Sequence, residues 1–384
     1  MSSPAQILLI ANPAAKNGTC GRYVDAVAAQ LSSALGEGAV DVTLTEAPRH
    51  AVSIARAARG YRAIVALGGD GLASEVASGL LARDDYAGAA SATAGGSSAG
   101  GSSAAAGNSA AAAASSTRPA LGVLPCGSGN DYARAIGMPF KLDRAVSTLL
   151  DCLATGARPT DVGTVNGTHF IETLSFGVDA AIALDTVTRR ERTGRSGTAL
   201  YLQSGLDQLL HHLDEHAYRA EFAGCSGADG RGTLPNLCQK SHSVHLPNLC
   251  QKSHFVHRAS LRSLDEQNGI SDTWKGEGRS ITFAVQVGPY YGGGFEICPD
   301  AVLDDGLLDV CISHPPLSVA RAVWIFLRAK SGSHTGYPQV EMLRSHAMHI
   351  EFDREPPTQA DGEALHARTF DIGIERGALD VLRV

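Results

Sequence analysis

Three short loops in the N-terminal part of the chain combine glycine with polar side chains, and each follows an apolar run. The first begins at Asn12 and contains Lys16, the second is Gly68-Gly69-Asp70-Gly71, and the third begins at Cys126. Such turns direct backbone N–H groups at an anion, and a carboxylate such as that of Asp70 orients a metal or a ribose hydroxyl. Taken singly, each loop is also typical of an ordinary turn. If the three loops lie together at one edge of one sheet, they predict a crevice there that binds a nucleotide.

The elements that must position these loops follow from the periodicity of the apolar residues. Short apolar runs typical of strands alternate with stretches of helical spacing. This alternation predicts a parallel sheet with right-handed crossovers, and therefore an α/β domain over residues 1–155. The predicted strands are 6–11, 40–44, 63–67 and 121–124, and the predicted helices are 21–35, 47–58 and 72–82.

A different pattern begins at residue 156. Short strand-like runs punctuated by Gly, Pro and Asn predict an antiparallel β-sandwich over 156–384, with helices near 198–212 and 318–330. The fold class is thus α/β plus β. The predicted strands of this half are 161–165, 170–176, 280–287, 308–312, 349–352 and 369–374.

Residues 87–116 form an insertion built almost entirely from Ala, Gly and Ser. The segment has no charge and no large apolar side chain, so it buries too little surface to offset its ordering entropy. We expect a flexible surface insertion without chemistry of its own.

A second insertion is predicted around 225–260, where the sequence of 234–242 recurs at 246–254. One hypothesis is a zinc tetrad, since the repeat supplies two cysteines and two histidines. The other, which we prefer, is a short duplication within a surface loop, because tight zinc sites usually space one cysteine pair more closely. The four side chains concerned are Cys238, His242, Cys250 and His254.

The composition excludes several functional classes. The chain has 384 residues, 44% of them hydrophobic, which suits two or three domains with sizeable cores. Its net charge of −7 and its aromatic content of 5% argue against a nucleic-acid binder. No run reaches the roughly 18–20 apolar residues that span a bilayer, and the apolar start lacks the features of a signal peptide. We expect a cytoplasmic protein with reduced thiols.

The loops and several later motifs together resemble the diacylglycerol kinase catalytic-domain family, the lipid kinases that include bacterial diacylglycerol kinases and sphingosine kinases. The motifs occur in the family's order over nearly the whole chain, and they are specific as a set. They are Asn12-Pro13, Gly68-Gly69-Asp70-Gly71 with Glu75, Gly127-Ser128-Gly129-Asn130-Asp131-Tyr132-Ala133-Arg134, Asp161-Val162-Gly163, Phe176-Gly177-Val178-Asp179, Gly292-Gly293-Gly294 with Pro299, Asp304-Asp305-Gly306-Leu307-Leu308 and Asp361-Gly362-Glu363.

The resemblance implies an NAD-kinase-like α/β domain over 1–155 that binds ATP. It also implies a β-sandwich domain over 156–384 that carries the lipid-binding side and the catalytic carboxylates. The implied nucleotide-binding residues are Asn12, Pro13, Ala14, Ala15, Lys16, Thr45, Gly68, Gly69, Asp70, Gly71, Leu72, Ala73, Ser74, Glu75, Gly127, Ser128 and Asn130.

The resemblance also implies a metal site and a proton acceptor. A structural Mg²⁺ would be held by Asp305 with the backbone carbonyls of Val302 and Leu307, and Glu363 would accept the proton, with Asp361 the next candidate. Asp70 is a third catalytic candidate, because it has room to orient Mg-ATP. Phosphoryl transfer needs such neutralised charge and an oriented hydroxyl. Without the other motifs, we would interpret residues 361–363 as an acidic hairpin turn.

Two departures from the family pattern concern the nucleotide loops. Leu72 stands where the family usually has Thr, and the first loop reads Ala14-Ala15-Lys16-Asn17-Gly18 where a Ser-Gly-Lys run is more usual. Neither change removes a carboxylate. We therefore expect altered nucleotide contacts rather than an inactive enzyme.

The resulting hypothesis is an ATP-dependent lipid kinase that phosphorylates a hydroxyl of diacylglycerol or a related lipid. The alternatives are a kinase of another acceptor, such as a sphingoid base or NAD, and a catalytically silent lipid- or nucleotide-binding protein of the same fold. The expected partner is lipid at a membrane surface, bound by reversible peripheral association through 322–327 or the basic run 189–192. The sequence leaves open whether the protein forms a homodimer.

Overall fold

The structure, a computed structural model, describes residues 6–87, 118–195, 197–224, 226–227 and 273–384. The predictions for 88–116 and for the cysteine–histidine repeat at 234–254 lie outside these residues. Within the described chain, unit 1 comprises 6–87, 118–127, 136–160 and 376–384, and unit 2 comprises 128–135 and the described parts of 161–375.

This division differs from a single cut between residues 155 and 156 in three segments, the shortest of which is 156–160, in unit 1. Residues 128–135 pack with unit 2, and the last residues, 376–384, pack with unit 1. The position of the last residues has a clear cause, because Val381 at the end of the last strand pairs in parallel with Leu121.

The first part of the chain alternates strands and helices, as the sequence predicts. A short 3-10 helix, Cys20–Tyr23, precedes the first α-helix. In chain order the elements are β1 (Ile7–Ala11), α1 (Val24–Leu35), β2 (Val40–Leu44), α2 (His50–Ala57), β3 (Ala63–Gly68), α3 (Asp70–Leu81), α4 (Asp84–Ala87), β4 (Ala120–Pro125), α5 (Asp131–Ala135) and α6 (Leu142–Thr155).

The strands of unit 1 form a parallel sheet in the order β2-β1-β3-β4. Strands β1, β3 and β4 are buried, so they read as continuous apolar runs, whereas β2 lies at the edge and is partly exposed. The chain runs outward in opposite directions from β1 and β3, which makes the gap between them the switch point where open parallel sheets bind ligands.

Unit 2 contains antiparallel strands with three helices of eight residues or more among its described residues. In chain order the remaining elements are β5 (Arg158–Val165), β6 (Thr168–Phe170), β7 (Thr173–Gly177), α7 (Val178–Thr193), α8 (Thr198–His211), β8 (His216–Ala223), β9 (Ser226–Gly227), β10 (Thr273–Ser280), β11 (Thr282–Gln286), β12 (Tyr290–Tyr291), β13 (Phe295–Glu296), β14 (Leu308–Ser313), α9 (Val319–Ala329), β15 (Val340–Ser345), β16 (Ala347–Phe352), β17 (Thr358–Ala360), β18 (Glu363–Ala364) and β19 (Thr369–Val381).

An aromatic core packs between two antiparallel layers of unit 2. One layer has the order β18-β17-β7-β11-β14-β15-β9, and the other contains β10-β8-β16-β19. Phe176 of the first layer lies 5.2 Å from Phe352 and 4.7 Å from Phe370 of the second, measured between ring centroids. The ring centroids of Tyr218, from the second layer, and Phe283, from the first, lie 5.4 Å apart. The predicted β-sandwich is therefore confirmed.

Two predicted strands are each split in the structure. The run 170–176 forms β6 and β7, and the run 280–287 belongs to β10 and β11. The first break occurs because the N–H groups of Ile171 and Glu172 donate to the Asp361 carboxylate instead of to a neighbouring strand. The sequence analysis also missed α6 and α7. Helix α7 contains few apolar residues beyond its buried stripe, so the apolar spacing is weak.

The packing of α2 against α3 gives a stability prediction. A Cβ atom on Gly79 of α3 would lie 2.5 Å from the Val52 carbonyl oxygen and 2.7 Å from the Ala55 Cβ, whereas one on Gly71 of the same helix would meet nothing within 4 Å. We expect Gly79→Ala to lower the free energy of unfolding by about 1–3 kcal/mol. The matched variant Gly71→Ala should raise it by about 0.5–1 kcal/mol, since alanine is the better helix former. Urea titration measures both, and equal shifts in one direction would contradict the packing.

Candidate functional site

The first loop leaves β1 at Asn12 and forms a left-handed turn before the 3-10 helix. The Asn12 side chain accepts the Ala14 N–H at 3.0 Å. The left-handed turn consists of Lys16, Asn17 and Gly18, whose φ angles are 50°, 56° and 79°. The Lys16 side chain is exposed, so its charge lies at the surface of this turn. Such a turn suits an anion.

The second loop is shaped by two glycines at the end of β3. A Cβ on Gly69 would lie 3.0 Å from the Gly127 Cα, and a Cβ on Gly68 would lie 2.7 Å from Leu72 Cδ2. Asp70 follows at once in the first turn of α3, half-buried, where the helix dipole stabilises its negative charge. Glycine at these positions lets the third loop and α3 approach closely.

Two adjacent carbonyl groups at the end of β3 join the three loops. The Asn12 N–H donates to the Leu67 oxygen at 3.3 Å, and the Cys126 N–H donates to the Gly68 oxygen at 2.7 Å. Because β3 lies between β1 and β4, these bonds hold the ends of all three strands together. The predicted residues of the first two loops and Gly127 therefore meet at one edge of the sheet.

Two other predicted nucleotide-binding residues hold the main chain nearby. The Glu75 carboxylate accepts the Arg49 N–H at 3.0 Å and the Ala51 N–H at 3.2 Å, and so caps the start of α2. The Thr45 N–H donates to the Ala11 carbonyl at 2.9 Å, which fixes the chain after β2 beside the end of β1. The structure thus gives Glu75 a positioning role in this loop cluster.

Leu72, Ala73 and Ser74 follow Asp70 on α3. Leu72 and Ala73 are buried, and Ser74 is half-buried. The Leu72 side chain packs on Gly68 and fills a core position. Leu72 therefore serves as a packing residue between α3 and the end of β3.

The division between the compact units falls between Gly127 and Ser128. Ser128 and Asn130, both predicted to bind nucleotide, therefore belong to unit 2. Asn130 has a φ of 57°, and its carbonyl accepts the Arg134 N–H at 3.0 Å, which starts α5. The Asn130 conformation thus explains why the loop turns sharply into the helix.

The Asp131 carboxylate ties α5 to the glycine turn at 292–294. Its Oδ2 accepts the Gly293 N–H at 2.6 Å, and its Oδ1 lies 2.5 Å from Arg134 Nη1. Lys330 Nζ donates to the Gly293 carbonyl at 2.6 Å. Burial raises the pKa of Asp131, against the lowering effect of the Gly293 N–H and of Arg134. Two cations and one buried carboxylate therefore hold this turn.

The predicted metal-binding loop of unit 2 offers oxygen donors. Asp305 Oδ1 accepts the Leu307 N–H at 3.0 Å, and Oδ2 lies 3.9 Å from Arg344 Nη1. The loop is held by Asp161, whose Oδ2 accepts the Gly306 N–H at 2.6 Å.

The donor types in this loop fit Mg²⁺. One carboxylate and two main-chain carbonyls, those of Val302 and Leu307, are hard oxygen ligands of the kind Mg²⁺ prefers. In the described part of the chain, no group of three or more His, Cys, Asp or Glu side chains is arranged to hold a metal ion. A metal here would therefore rely on backbone oxygens and water.

The two acids of the Asp361-Gly362-Glu363 motif have different surroundings. The Asp361 carboxylate accepts three backbone N–H groups, those of Ile171 at 2.8 Å and of Glu172 and Thr173 at 3.0 Å each. Glu363, two residues later at the start of β18, is exposed. Asp361 therefore anchors the turn that presents Glu363. A carboxylate committed to three donors is poorly placed to accept a proton, whereas an exposed one is better placed.

Sequence reasoning did not place several residues that support these loops. Gln359 is fully buried, and its Oε1 accepts the Gly362 N–H at 2.7 Å while its Nε2 donates to Ser175 Oγ at 2.8 Å. Arg344 Nε donates to Asp309 Oδ1 at 2.8 Å. Neither Gln359 nor Arg344 belongs to a motif, and no local signal identifies them. Asp131 and Asp161, by contrast, stand within the quoted motifs.

Comparison with known proteins gives matches over nearly the whole chain. Residues 6–165 match the diacylglycerol kinase catalytic domain, and residues 172–383 match the YegS C-terminal NAD kinase beta sandwich-like domain. A protein of Pseudomonas aeruginosa named "Probable lipid kinase YegS-like" is 27% identical over 356 residues, which cover 93% of this chain and 87% of that protein. The diacylglycerol kinase of Bacillus subtilis is 23% identical over 308 residues, 80% of this chain and 73% of its own length.

A solved structure shares the fold. The crystal structure of a diacylglycerol kinase from Bacillus anthracis superposes with a TM-score of 0.60 at 16% sequence identity, over 100% of this chain and 98% of that one. The α/β and β-sandwich architecture is therefore common to both proteins.

The different surroundings of Asp361 and Glu363 give a second stability prediction. Asp361→Asn replaces an acceptor oxygen by an amide donor, so buried N–H groups lose their partner. We expect the free energy of unfolding to fall by about 1–3 kcal/mol. The matched variant Glu363→Gln, at an exposed position, should stay within about 0.5 kcal/mol of the wild type. Urea titration of both proteins is the measurement, and a larger loss for Glu363→Gln would overturn the assigned anchoring role.

Proposed function

The chain belongs to the lipid kinase family that joins a diacylglycerol kinase catalytic domain to a YegS-type β-sandwich domain, and from this premise we propose that it transfers the γ-phosphate of ATP to a hydroxyl of diacylglycerol or a related lipid. One observation carries the proposal. Three glycine-containing loops meet at the end of β3, next to the switch point of a parallel sheet, with Asp70 at the start of α3.

The nucleotide is assigned to unit 1. In this assignment, backbone N–H groups of the left-handed turn at 16–17 and of the start of α3 donate to phosphate oxygens, whereas the Gly18 N–H stays bonded to the Ala14 carbonyl. Lys16 adds positive charge, and Asp70 orients the metal–nucleotide complex. The absence of side chains at Gly68 and Gly69 keeps α3 and the third loop close to this assigned site.

The implied magnesium is assigned to Asp305 with the carbonyls of Val302 and Leu307, because this loop supplies only hard oxygen donors. When bound there, the ion supplies positive charge that holds these oxygens together. The residues of the chain itself shape the loop, since Asp161 fixes Gly306 and Leu307 fixes the Asp305 carboxylate.

Glu363 is assigned as the proton acceptor of the lipid hydroxyl. As the hydroxyl oxygen forms its bond to the γ-phosphorus, its proton passes to a Glu363 oxygen, and the bond from the γ-phosphorus to the bridging oxygen of ADP breaks. The chain supports this role by fixing the turn before Glu363, because the Asp361 carboxylate accepts the Ile171 N–H and Gln359 Oε1 accepts the Gly362 N–H. The Glu363 side chain itself is exposed.

Peripheral membrane association follows from a lipid substrate. In the described ranges, the structure contains no helix that is long and apolar enough to cross a membrane. Helix α9 buries Ala322 and Ile325 but leaves Trp324 52% and Leu327 46% exposed. The basic run at 189–192 is a weaker candidate contact, because Arg189 is already paired with two aspartates.

The acceptor assay is the test. Purified protein is given ATP labelled at the γ-phosphate, magnesium, and vesicles that contain diacylglycerol or a sphingoid base, with NAD as a soluble acceptor. We expect label in the diacylglycerol product, and co-sedimentation of the protein with the vesicles. Asp70→Asn should lower kcat by more than about tenfold, a loss above roughly 1.4 kcal/mol. Asp84→Asn, a matched change in the first turn of α4, should leave kcat within about twofold of the wild type.

Each contrary outcome has a defined meaning. Label in the sphingoid base or NAD alone assigns a different acceptor to the same kinase. Nucleotide or vesicle binding without label in any acceptor identifies a silent binding protein. Equal kcat for the Asp70 and Asp84 variants contradicts the nucleotide site assigned to unit 1.

A further inference from the structure

Two cysteines that the proposed reaction does not use lie under the nucleotide loops of unit 1. Cys20 opens the 3-10 helix that follows the first loop, and Cys126 opens the third loop. The Cys20 thiol donates to the Leu67 carbonyl at 3.4 Å, and the Cys126 N–H donates to the adjacent carbonyl of Gly68 at 2.7 Å. Two successive carbonyls of β3 thus fix both residues at the end of this strand, and the Cys20 thiol, whose one proton serves one acceptor at a time, is within hydrogen-bonding reach of the Cys126 sulfur.

The two sulfurs are chemically unequal. The hydrogen bond from Cys20 lowers the pKa of Cys126 to about 7, with help from the Lys16 charge and against burial. The same bond raises the pKa of Cys20. Cys126 is therefore the sulfur that ionises near neutral pH, and the thiolate is the reactive form.

The other described cysteines provide a comparison at equal exposure. Cys126, Cys152 and Cys311 are 6%, 5% and 6% exposed. Burial raises the pKa of Cys152, and it raises that of Cys311 to about 12. Access to a small oxidant is thus similar at the three positions, and thiolate formation distinguishes Cys126 from the other two.

We propose that Cys20 and Cys126 form a dithiol that hydrogen peroxide oxidises to an intramolecular disulfide beneath the first and third loops. The Cys126 thiolate attacks one peroxide oxygen, the O–O bond breaks, and the departing hydroxide takes a proton to become water. Cys20 then attacks the resulting sulfenic sulfur, the S–O bond breaks, and the hydroxyl leaves with the Cys20 proton as a second water. The two thiols lose two electrons, and the peroxide gains them.

The disulfide changes the loop cluster in two ways. It removes the Cys20 donor from the Leu67 carbonyl, and it brings the sulfurs to a bond length of about 2.05 Å. Gly127, which follows Cys126, packs so closely on Gly69 that a Cβ added there would lie 3.0 Å from the Gly127 Cα, so the third loop has little room to move toward β3. If the proposed function holds, oxidation lowers ATP affinity, because the shifted loops are the assigned phosphate site.

Peptide mapping tests the modification without any assay of activity. The protein carries Cys225→Ser, Cys238→Ser and Cys250→Ser, since these cysteines lie outside the described residues. After hydrogen peroxide treatment, free thiols are blocked, and disulfide-linked peptides are identified by mass spectrometry. We expect a Cys20–Cys126 link that dithiothreitol reverses and that forms faster as the pH rises through about 7. Cys152 and Cys311 should stay reduced.

Two variants check the order of the steps. Cys20→Ser should leave a sulfenic acid on Cys126 that dimedone labels, and Cys126→Ser should leave Cys20 unreacted. Thermal melting checks that each variant is folded. If a variant does not fold, the peptide mapping of the parent protein tests the proposal by itself. Oxidation of Cys126 no faster than that of Cys152, or dimedone labelling of Cys20 in the Cys126 variant, overturns the proposal.

The functional arm separates this inference from the proposed function. Binding of ATP is measured before oxidation, after oxidation, and after reduction by dithiothreitol. Loss of affinity that reduction restores supports the switch, and unchanged affinity in the disulfide form overturns it. If the reduced protein binds no ATP, the proposed function fails, while the peptide mapping still decides whether the dithiol is oxidised.

Discussion

The close approach of three loops to the end of β3 is the constraint on which the candidate nucleotide site depends. Carbonyl groups of Leu67 and Gly68 accept hydrogen bonds from the first and third loops, and a side chain at Gly69 would crowd the Gly127 backbone. Because β1 and β3 flank the switch point of the sheet, the same contacts that close the fold also gather backbone N–H groups and Asp70 at one edge. The packing of these loops and the proposed nucleotide site therefore depend on one set of glycines.

The acidic motifs of the chain mostly hold loops in place. Glu75 caps the start of α2, Asp131 holds the turn at Gly293, and Asp161 holds Gly306. Asp361 accepts three N–H groups at once. Buried N–H groups need acceptors, and a carboxylate satisfies several of them while fixing the direction of the chain. Chemistry is then assigned to the acids that these anchors leave exposed or half-buried, namely Glu363, Asp305 and Asp70.

Local patterns predict much of the fold and less of the site. Apolar alternation predicts β2 with its observed bounds, Val40–Leu44. The apolar periodicity predicts the fold class, and the resemblance that the motifs carry predicts the family. The break between β6 and β7 has no local signal, because it is set by Asp361, 190 residues away from Ile171. The support that Gln359 gives to Gly362 likewise depends on burial in the folded sandwich. The motif that contains Glu75 marks the residue, but only the structure reveals that it caps a helix.

The pH dependence of kcat for Glu363→Gln tests the central claim most directly. The substitution keeps the shape of the exposed side chain and removes its basicity, so the account predicts a loss of about 10²–10⁴-fold in kcat and the disappearance of the acidic limb of the wild-type profile. ATP affinity should stay unchanged, since the nucleotide is assigned to the loops of unit 1. A variant that keeps its acidic limb and retains kcat within about tenfold of the wild type would contradict the account and assign the proton to another acceptor.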